Sequence, residues 1–332
     1  MSAPSFSITL EEHASFPSLG SDRPFYNDIF GTFTTSKKQA EDHSTGRVAA
    51  MDEGHISYQI MSYIPGMGND KPEACRKTND EMAEAIKKNP TRLGGFAVLP
   101  MAHPEKAAAE LERAVKELGF HGTLIDSHLE DMTHFDGERF WPVFEMAERL
   151  DVPIYIHPAP PTDAFVKERY SGNYPDAIAL RMWTGAWGWH EDVGLHILKL
   201  YAAGVFDRFP NLKIIIGHMG EMIPMMLDRA GKILTPYRES KNGRSLNNVW
   251  DQNIWVTSSG IFSVRTLEML FKVAKKDRIM YSIDTPFAKS IQGLNFLQEL
   301  AEKSSFSKDD LDNFAFGNAK KLFKLDLELK KF

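Results

Sequence analysis

The sequence predicts an α/β protein: a single (β/α)8 barrel of the TIM type over residues 1–332. Short apolar runs alternate with longer amphipathic segments, and there are eight such runs. Polar side chains that can act as metal ligands or proton carriers end four of these runs. A barrel builds its active site from residues at the carboxyl ends of its strands. The length of 332 residues is ordinary for one such barrel with insertions.

Eight short runs, bounded by turn residues and mostly rich in β-branched residues, predict the strands. We place these strands at residues 7–11, 57–62, 94–99, 121–126, 152–157, 212–218, 253–258 and 278–284. Runs of this kind are typical of strands that are buried on both faces. Their alternation with helices favours a closed parallel barrel over an open sheet.

Amphipathic segments between the strands predict seven helices. They cover about 72–88, 104–118, 138–150, 190–203, 222–237, 263–275 and 289–302. Pro104 begins one of them and Gly119 ends it, which is the usual placement of these two residues. Ser263 marks the capped start of another helix.

Two segments break the regular alternation. Residues 14–55 follow the first strand and residues 158–189 follow the fifth. We predict both as long inserted loops over the same barrel mouth, because each follows a strand that ends in proposed ligands. The tail from residue 307 onward predicts two closing helices.

Composition narrows the class of partner. The net charge of −6 argues against a nucleic-acid or anionic-membrane surface. Cys75 is the one cysteine, which excludes an internal disulfide and fits a reducing compartment. No apolar run approaches the roughly 20 residues that span a bilayer, and the first residues lack the pattern of a secretory signal. We therefore expect a cytoplasmic protein with no nucleic-acid or membrane partner.

Four side chains predict a metal centre. Glu11 and His13 form a Glu-x-His pattern in the first strand, which places both side chains on one face and turns Glu12 away. His157 ends the fifth strand and Asp284 ends the eighth. Such a mixed set of imidazoles and carboxylates suits zinc or another divalent first-row metal. The alternatives are structural: a lone strand-end histidine can simply be hydrogen-bonded, and Asp284 can cap the turn before Pro286.

A fifth candidate follows the sixth strand. His218 lies in Gly217-His218-Met219-Gly220-Glu221, where the glycines allow a sharp turn. Glu221 can reach back and fix the tautomer of the imidazole. The alternative is that Glu221 only favours the helix N-terminus.

Several motifs together resemble one family. They are Leu10-Glu11-Glu12-His13, Tyr155-Ile156-His157-Pro158, Gly204-Val205-Phe206-Asp207-Arg208-Phe209-Pro210, Gly217-His218-Met219-Gly220-Glu221, Ser282-Ile283-Asp284-Thr285-Pro286 and Gly317-Asn318-Ala319. The chain resembles the amidohydrolase-2 family, in particular the branch of ACMS decarboxylase and γ-resorcylate decarboxylase. His13 brings it nearer to the γ-resorcylate type than to fungal salicylate and 2,3-dihydroxybenzoate decarboxylases, which carry alanine there.

The resemblance implies a metal-dependent, non-oxidative decarboxylase of an aromatic acid with an ortho hydroxyl, which works as a homodimer or homotetramer. It makes Glu11, His13, His157 and Asp284 the metal ligands. It also makes His218 and Glu221 the catalytic histidine and its partner. Arg229 matches a position that binds substrate, sometimes across a dimer interface. Its alternative is an ordinary surface pair with Asp228.

Mechanism follows from these assignments. We expect Asp284 to protonate the ring carbon that bears the carboxylate, while His218 hydrogen-bonds the substrate or relays a proton. Phe25, Trp187 and Phe287 are candidates to hold the ring, with core packing as their alternative. The substrate can be 2,3-dihydroxybenzoate, γ-resorcylate, orsellinate or 6-methylsalicylate. We expect one zinc ion, with manganese or magnesium as alternatives.

Two other functions compete with decarboxylation. A hydrolase would use the same ligands to activate water against a lactone or amide. A non-catalytic barrel would be expected to lose ligands, and every matched position is kept.

Overall fold

The computed structural model describes residues 2–20, 34–238 and 243–332. Its eight parallel strands are β1 Ile8–Ala14, β2 Tyr58–Tyr63, β3 Leu93–Gly95, β4 Thr123–Asp126, β5 Ile154–His157, β6 Ile214–Ile216, β7 Ile254–Thr257 and β8 Ile279–Met280. Strands β1 to β3 pair in sequence order, and so do β4 to β8. Bridges between Ala97 and Thr123 and between Glu12 and Thr285 join the two sheets at both edges. The predicted closed barrel is confirmed.

Helices cover the barrel. In the described ranges the α-helices are α1 Thr34–Glu41, α2 Thr45–Glu53, α3 Pro72–Lys87, α4 Pro104–Leu118, α5 Trp141–Leu150, α6 Asp163–Tyr170, α7 Asp176–Arg181, α8 Gly188–Ala202, α9 Val205–Arg208, α10 Ile223–Leu234, α11 Leu246–Asn253, α12 Val264–Val273, α13 Ser290–Lys303, α14 Lys308–Asp312 and α15 Asn318–Leu322. The seven predicted helices correspond to α3, α4, α5, α8, α10, α12 and α13. The two closing helices predicted for the tail are α14 and α15, joined by a π-turn at Asn313–Gly317.

The two insertions are not simple loops. The segment after β1 contains α1 and α2, and the segment after β5 contains α6, α7 and a π-turn at Met182–Ala186. The prediction did not foresee the short helices in these two segments, and of these helices α6 has a side-chain cap. Thr162 accepts a hydrogen bond from the Phe165 N–H and so starts α6. Helix α11 was missed in the same way, since Ser245 caps it through the Asn248 N–H.

Strand lengths at the seam between β1 and β8 differ from the prediction. β1 runs on to Ala14, so His13 lies inside the strand, where its N–H donates to the Thr285 carbonyl. β8 ends at Met280, and the chain then turns so that Asp284 has φ of +74°. The β1 backbone holds this turn, because the Asp284 N–H donates to the Glu11 carbonyl.

The barrel interior is a packed apolar core. Its buried side chains come from every strand except β3, and Phe96 comes from the segment directly after β3. Residues of the C-terminal tail close the end of the barrel at which the strands begin. These residues are Ile8, Leu10, Tyr58, Ile60, Phe96, Leu124, Tyr155, Ile215, Trp255, Met280, Ala319, Leu322, Phe323 and Leu325. The Phe323 ring lies 5.7 Å from the Phe96 ring and 5.9 Å from the His121 ring. One end of the barrel is therefore closed by apolar packing.

Within the described part of the chain, no helix has the length and apolarity needed to cross a membrane.

Candidate metal centre and catalytic pair

The four predicted ligands converge at the other end of the barrel. One ligand atom from each of Glu11, His13, His157 and Asp284 lies within 4.8 Å of the others. Nε2 of His13 is 3.3 Å from Oδ1 of Asp284, and Nε2 of His157 is 3.0 Å from Oε1 of Glu11. The pairing of β1 with β2 shifts register between Thr9 and Glu12, yet Glu11 and His13 still face the same centre.

A divalent cation fits this cluster. Glu11 Oε1, His13 Nε2 and Asp284 Oδ1 are buried, and none of them makes a hydrogen bond. A buried polar atom left without a partner costs about 1–3 kcal/mol, so such atoms are rare. Three such atoms from three residues point to one place, and a cation there would satisfy all of them.

Neighbouring groups orient the two imidazoles. The His157 Nδ1 lies 2.7 Å from the Pro158 carbonyl oxygen, and the His13 Nδ1 lies 3.2 Å from the Tyr63 carbonyl oxygen. Each contact places the ring hydrogen on Nδ1 and leaves Nε2 with a free lone pair toward the centre. The other oxygen of Glu11 accepts hydrogen bonds from the hydroxyls of Tyr155 and Ser259.

Burial and charge act in opposite directions on the carboxylates. Burial alone would raise the pKa of Asp284, but the close imidazoles of His13 and His218 outweigh it. The pKa of Asp284 therefore lies well below its usual range. The pKa of Glu11 is lowered in the same way, because the charges of His218 and His157 exceed the effect of burial. Both carboxylates are ready to bind a cation.

Glu12 faces away from the centre, as predicted, but it does not face solvent. Its buried carboxylate accepts hydrogen bonds from Ser282 Oγ (3.0 Å), Ile283 N (2.9 Å), Thr285 N (3.2 Å) and Thr285 Oγ1 (2.6 Å). These donors flank Asp284 in the turn after β8. Glu12 therefore joins the strand that carries two of the predicted ligands, Glu11 and His13, to the turn that carries Asp284.

His218 and Glu221 lie beside the ligands. The His218 Nδ1 is 2.7 Å from Oε1 of Glu221, while its Nε2 is 3.6 Å from Glu11 Oε1 and 3.8 Å from Asp284 Oδ2. Burial would raise the pKa of Glu221, but the nearby His218 and His190 lower it to about 2. The carboxylate can thus hold the imidazole with its Nε2 toward the centre.

The turn after β6 has an unusual backbone. His218, Met219 and Glu221 have φ values of 46°, 59° and 50°, in the left-handed region that non-glycine residues rarely adopt. Gly220 has φ of 95°, as its predicted role in a sharp turn requires. Gly217 serves close approach instead, because a Cβ there would lie 2.8 Å from Glu11 Oε2.

His190 was not predicted as a site residue. Its Nδ1 lies 2.7 Å from Oε2 of Glu221, so Glu221 is shared between His190 and His218. His190, His218 and Glu221 also form a second group with ligand atoms within 4.8 Å. Both Nδ1 atoms, however, point at the carboxylate oxygens. His190 belongs to no recognised motif and follows an irregular insertion. The one sequence signal for its role is that Glu221 has two carboxylate oxygens, of which His218 needs only one.

The predicted substrate residues lie in different surroundings. The ring of Phe287 is 5.7 Å from the ring of His13, which places it beside the ligands. Trp187 is 51% exposed, and Arg229 is exposed on α10. Asp228 bonds to Asn247 at 2.8 Å, and no ion pair links it to Arg229 in the described ranges. Phe25 lies outside the described residues.

The protein therefore falls into a class of closed parallel barrels that carry a cluster of His and carboxylate side chains at the carboxyl ends of their strands. Within that class, the chain belongs to the amidohydrolase family, since the sequence model of the family described as "Amidohydrolase" matches residues 41–325. The resemblance inferred from the motifs is confirmed.

Relatives in this family are named decarboxylases. The chain is 44% identical to Decarboxylase orsB of Emericella nidulans over 97% of this chain and 98% of that protein. It is 35% identical to the gamma-resorcylate decarboxylase of Polaromonas sp. over 96% of this chain and 98% of that protein. A crystal structure of dihydroxybenzoic acid decarboxylase from Polaromonas sp., with manganese and the inhibitor 2-nitroresorcinol, has a TM-score of 0.85 and 32% identity, covering 97% of this chain and 98% of that one.

Proposed function

We propose that this protein is a metal-dependent carboxy-lyase that removes CO2 from a hydroxylated aromatic acid. The observation that carries the proposal is the set of three buried, unpaired ligand atoms beside a histidine held by Glu221. The decarboxylase relatives support the same chemistry. A non-catalytic barrel would not need such a cluster.

Glu11, His13, His157 and Asp284 would hold the ion. When bound, a divalent cation neutralises the carboxylate and the ortho oxygen of the substrate and fixes their orientation. The ligand types suit zinc, as the sequence indicated. The manganese in the Polaromonas structure makes manganese the first ion to test, with zinc and magnesium after it.

Proton transfer would be the work of Asp284 and His218. Loss of CO2 requires a proton on the ring carbon that bears the carboxylate. The bond to CO2 then breaks, and its electron pair restores the aromatic ring. Because the low pKa of Asp284 leaves it ionised, its proton must be supplied, and His218 Nε2 lies 3.8 Å from Asp284 Oδ2. Glu221 keeps that imidazole in place for the transfer.

The substrate belongs to the ortho-hydroxybenzoates. We place γ-resorcylate first, because the Polaromonas relative is named for it. Orsellinate, 2,3-dihydroxybenzoate and 6-methylsalicylate follow. Phe287, beside His13, would contact the ring, and Phe25 and Trp187 are further candidates for this contact.

A substrate panel tests the reaction. The protein, stripped of metal and reloaded with manganese, zinc or magnesium, is incubated with the four acids, and loss of acid and release of CO2 are measured. We expect CO2 and the corresponding phenol in equal amounts, and only after reloading. Hydrolysis of a lactone or amide without CO2 would instead favour the hydrolase that uses a metal-activated water.

We also propose a homo-oligomer, a dimer or a tetramer, formed through α10. Met225 (73% exposed), Met226 (50%) and Ile233 (49%) make one helix unusually apolar on its surface. Arg229 lies on the same helix and would reach the active site of a neighbouring copy or of its own. Light scattering of the parent and of Met225→Asp tests this. We expect the charge to dissociate the oligomer, whereas a monomeric parent would contradict it.

Residues 1–332 would form one domain of this family, because the tail packs into the same barrel that β1 opens. The low cysteine content fits a cytoplasmic location. Fluorescence microscopy of a tagged chain checks the location, and limited proteolysis checks the domain.

A further inference from the structure

His190 connects two parts of the molecule that the chain separates. It lies in the first turn of α8, directly after the inserted segment 158–189. Its ring is buried, with Nδ1 at 2.7 Å from Glu221 Oε2 and Nε2 at 3.0 Å from the Gly185 carbonyl oxygen. Gly185 belongs to the π-turn of the insertion. One imidazole therefore touches both the insertion and the carboxylate that holds His218.

Both contacts of this ring are made to acceptors. A carbonyl oxygen has no hydrogen to donate, and Glu221 is ionised. The ring satisfies both contacts only when each of its nitrogens carries a hydrogen. Glu221 in turn receives one imidazole on each oxygen, because His218 Nδ1 lies 2.7 Å from Oε1. The carboxylate is thus fixed from two sides and cannot rotate freely.

The helix itself is packed tightly against the turn that carries Glu221. A Cβ on Gly194 would lie 2.6 Å from the Glu221 carbonyl oxygen, so only glycine lets α8 come this close. A Cβ on Gly188 would lie 2.5 Å from the Trp183 carbonyl oxygen, which keeps the start of α8 against the insertion. The backbone around His190 is therefore held on both sides.

We propose that His190 is a positioning residue that ties the insertion after β5 to the His218–Glu221 pair. The expected effect of His190 on the reaction rate rests on the proposed function. Glu221 with a single partner could swing, and His218 would then lose its alignment toward Asp284. Groups that orient a functional side chain in this way typically contribute 10- to 100-fold. The loss should fall on kcat, because His190 has no contact with the four metal ligands in the described structure.

Three variants test this role. His190→Phe removes both contacts, and His190→Gln leaves a neutral side chain that can donate to only one of the two acceptors. His196→Gln is the control: His196 is a buried histidine of the same helix, and its Nε2 accepts from the Phe135 N–H and does not contact Glu221. We expect kcat to fall about 100-fold in His190→Phe and about 10-fold in His190→Gln, with KM changed less than about threefold. His196→Gln should lower stability and leave kcat near that of the parent.

A second readout does not depend on turnover. Proton NMR of the zinc-loaded parent should show, among the downfield ring N–H resonances of its buried histidines, those of His190 and His218 bonded to Glu221. In His190→Phe the resonances of His190 should vanish and that of His218 should move. Metal content should stay at one ion per chain throughout.

Unchanged kcat in His190→Gln would overturn the proposal, and so would an unmoved His218 resonance in His190→Phe. Two ions per chain in the parent would also overturn it, because His190, His218 and Glu221 would then hold a second metal. If the parent releases no CO2 but the resonance moves as expected, the proposed reaction fails and the positioning contact stands.

Discussion

The two ends of the barrel are built on opposite principles. At the base, where the strands begin, Phe323 and its neighbours from the tail fill the interior with apolar side chains. At the mouth, where the strands end, Glu11, His13 and Asp284 leave buried polar atoms without hydrogen bonds, and His218 has a left-handed backbone. The base gains stability from packing, whereas the mouth keeps costly features, among them polar atoms that a bound cation would satisfy. Substitutions at the two ends should therefore separate activity from stability.

The largest effect is expected at the mouth. Asp284→Asn removes both a proposed metal ligand and the proposed proton donor, so kcat should fall about 10²- to 10⁴-fold. The free energy of unfolding of the metal-free protein should fall by less than in a cavity variant of the base, because burial opposes the stabilisation that His13 and His218 give to this charge. Steady-state kinetics and urea unfolding check the two quantities. Asp163→Asn, an exposed carboxylate of α6, is the control and should change neither.

The matching change at the base should have the reverse effect. Phe323→Ala opens a cavity beside Phe96 and should lower the free energy of unfolding by about 3–5 kcal/mol. kcat at a temperature where the variant is folded should stay near the parent value. A folded variant with kcat reduced tenfold or more would show that the two ends are not independent.

His121, a residue of the base, should make the stability of the protein depend on pH. Burial lowers the pKa of His121 to about 4. The Nε2 of this side chain lies 2.9 Å from the Tyr58 hydroxyl. The unfolded chain takes up a proton near pH 6.5 and the folded chain only near pH 4, so stability falls as the pH drops through this window. The loss should approach about 3 kcal/mol at its lower end. His121→Asn should lack this part of the decline. Urea unfolding of both proteins at several pH values measures it. If His121 is not responsible, the free energy of unfolding will depend on pH equally in both proteins.

The smallest effect is expected at the residue that stands behind the mouth. Glu12→Gln replaces one acceptor oxygen by an amide group and cannot satisfy all four donors around it. Metal affinity should fall about 10- to 100-fold, because the turn with Asp284 loosens. Titration with manganese measures this. Equal affinity in the variant and the parent would mean that the backbone bonds between β1 and this turn suffice.

The sequence predicted the base and the mouth unequally well. Strand runs and the four ligands follow from local patterns, because the period of a strand puts Glu11 and His13 on one face and the runs end at His157 and near Asp284. Glu12 and His190 could not be assigned their roles in this way. The partners of Glu12 are about 270 residues away, and His190 meets Glu221 through a helix whose position depends on an irregular insertion. Short helices such as α6 and α11 were missed because one capping side chain, not a long apolar pattern, starts them.

We propose that the chemistry takes place among Glu11, His13, His157 and Asp284 at the mouth. Anomalous scattering from crystals of the manganese-loaded protein tests this placement. We expect one peak per chain, surrounded by Glu11, His13, His157 and Asp284. A peak among His190, His218 and Glu221, or no ordered manganese at the four residues, would contradict this placement.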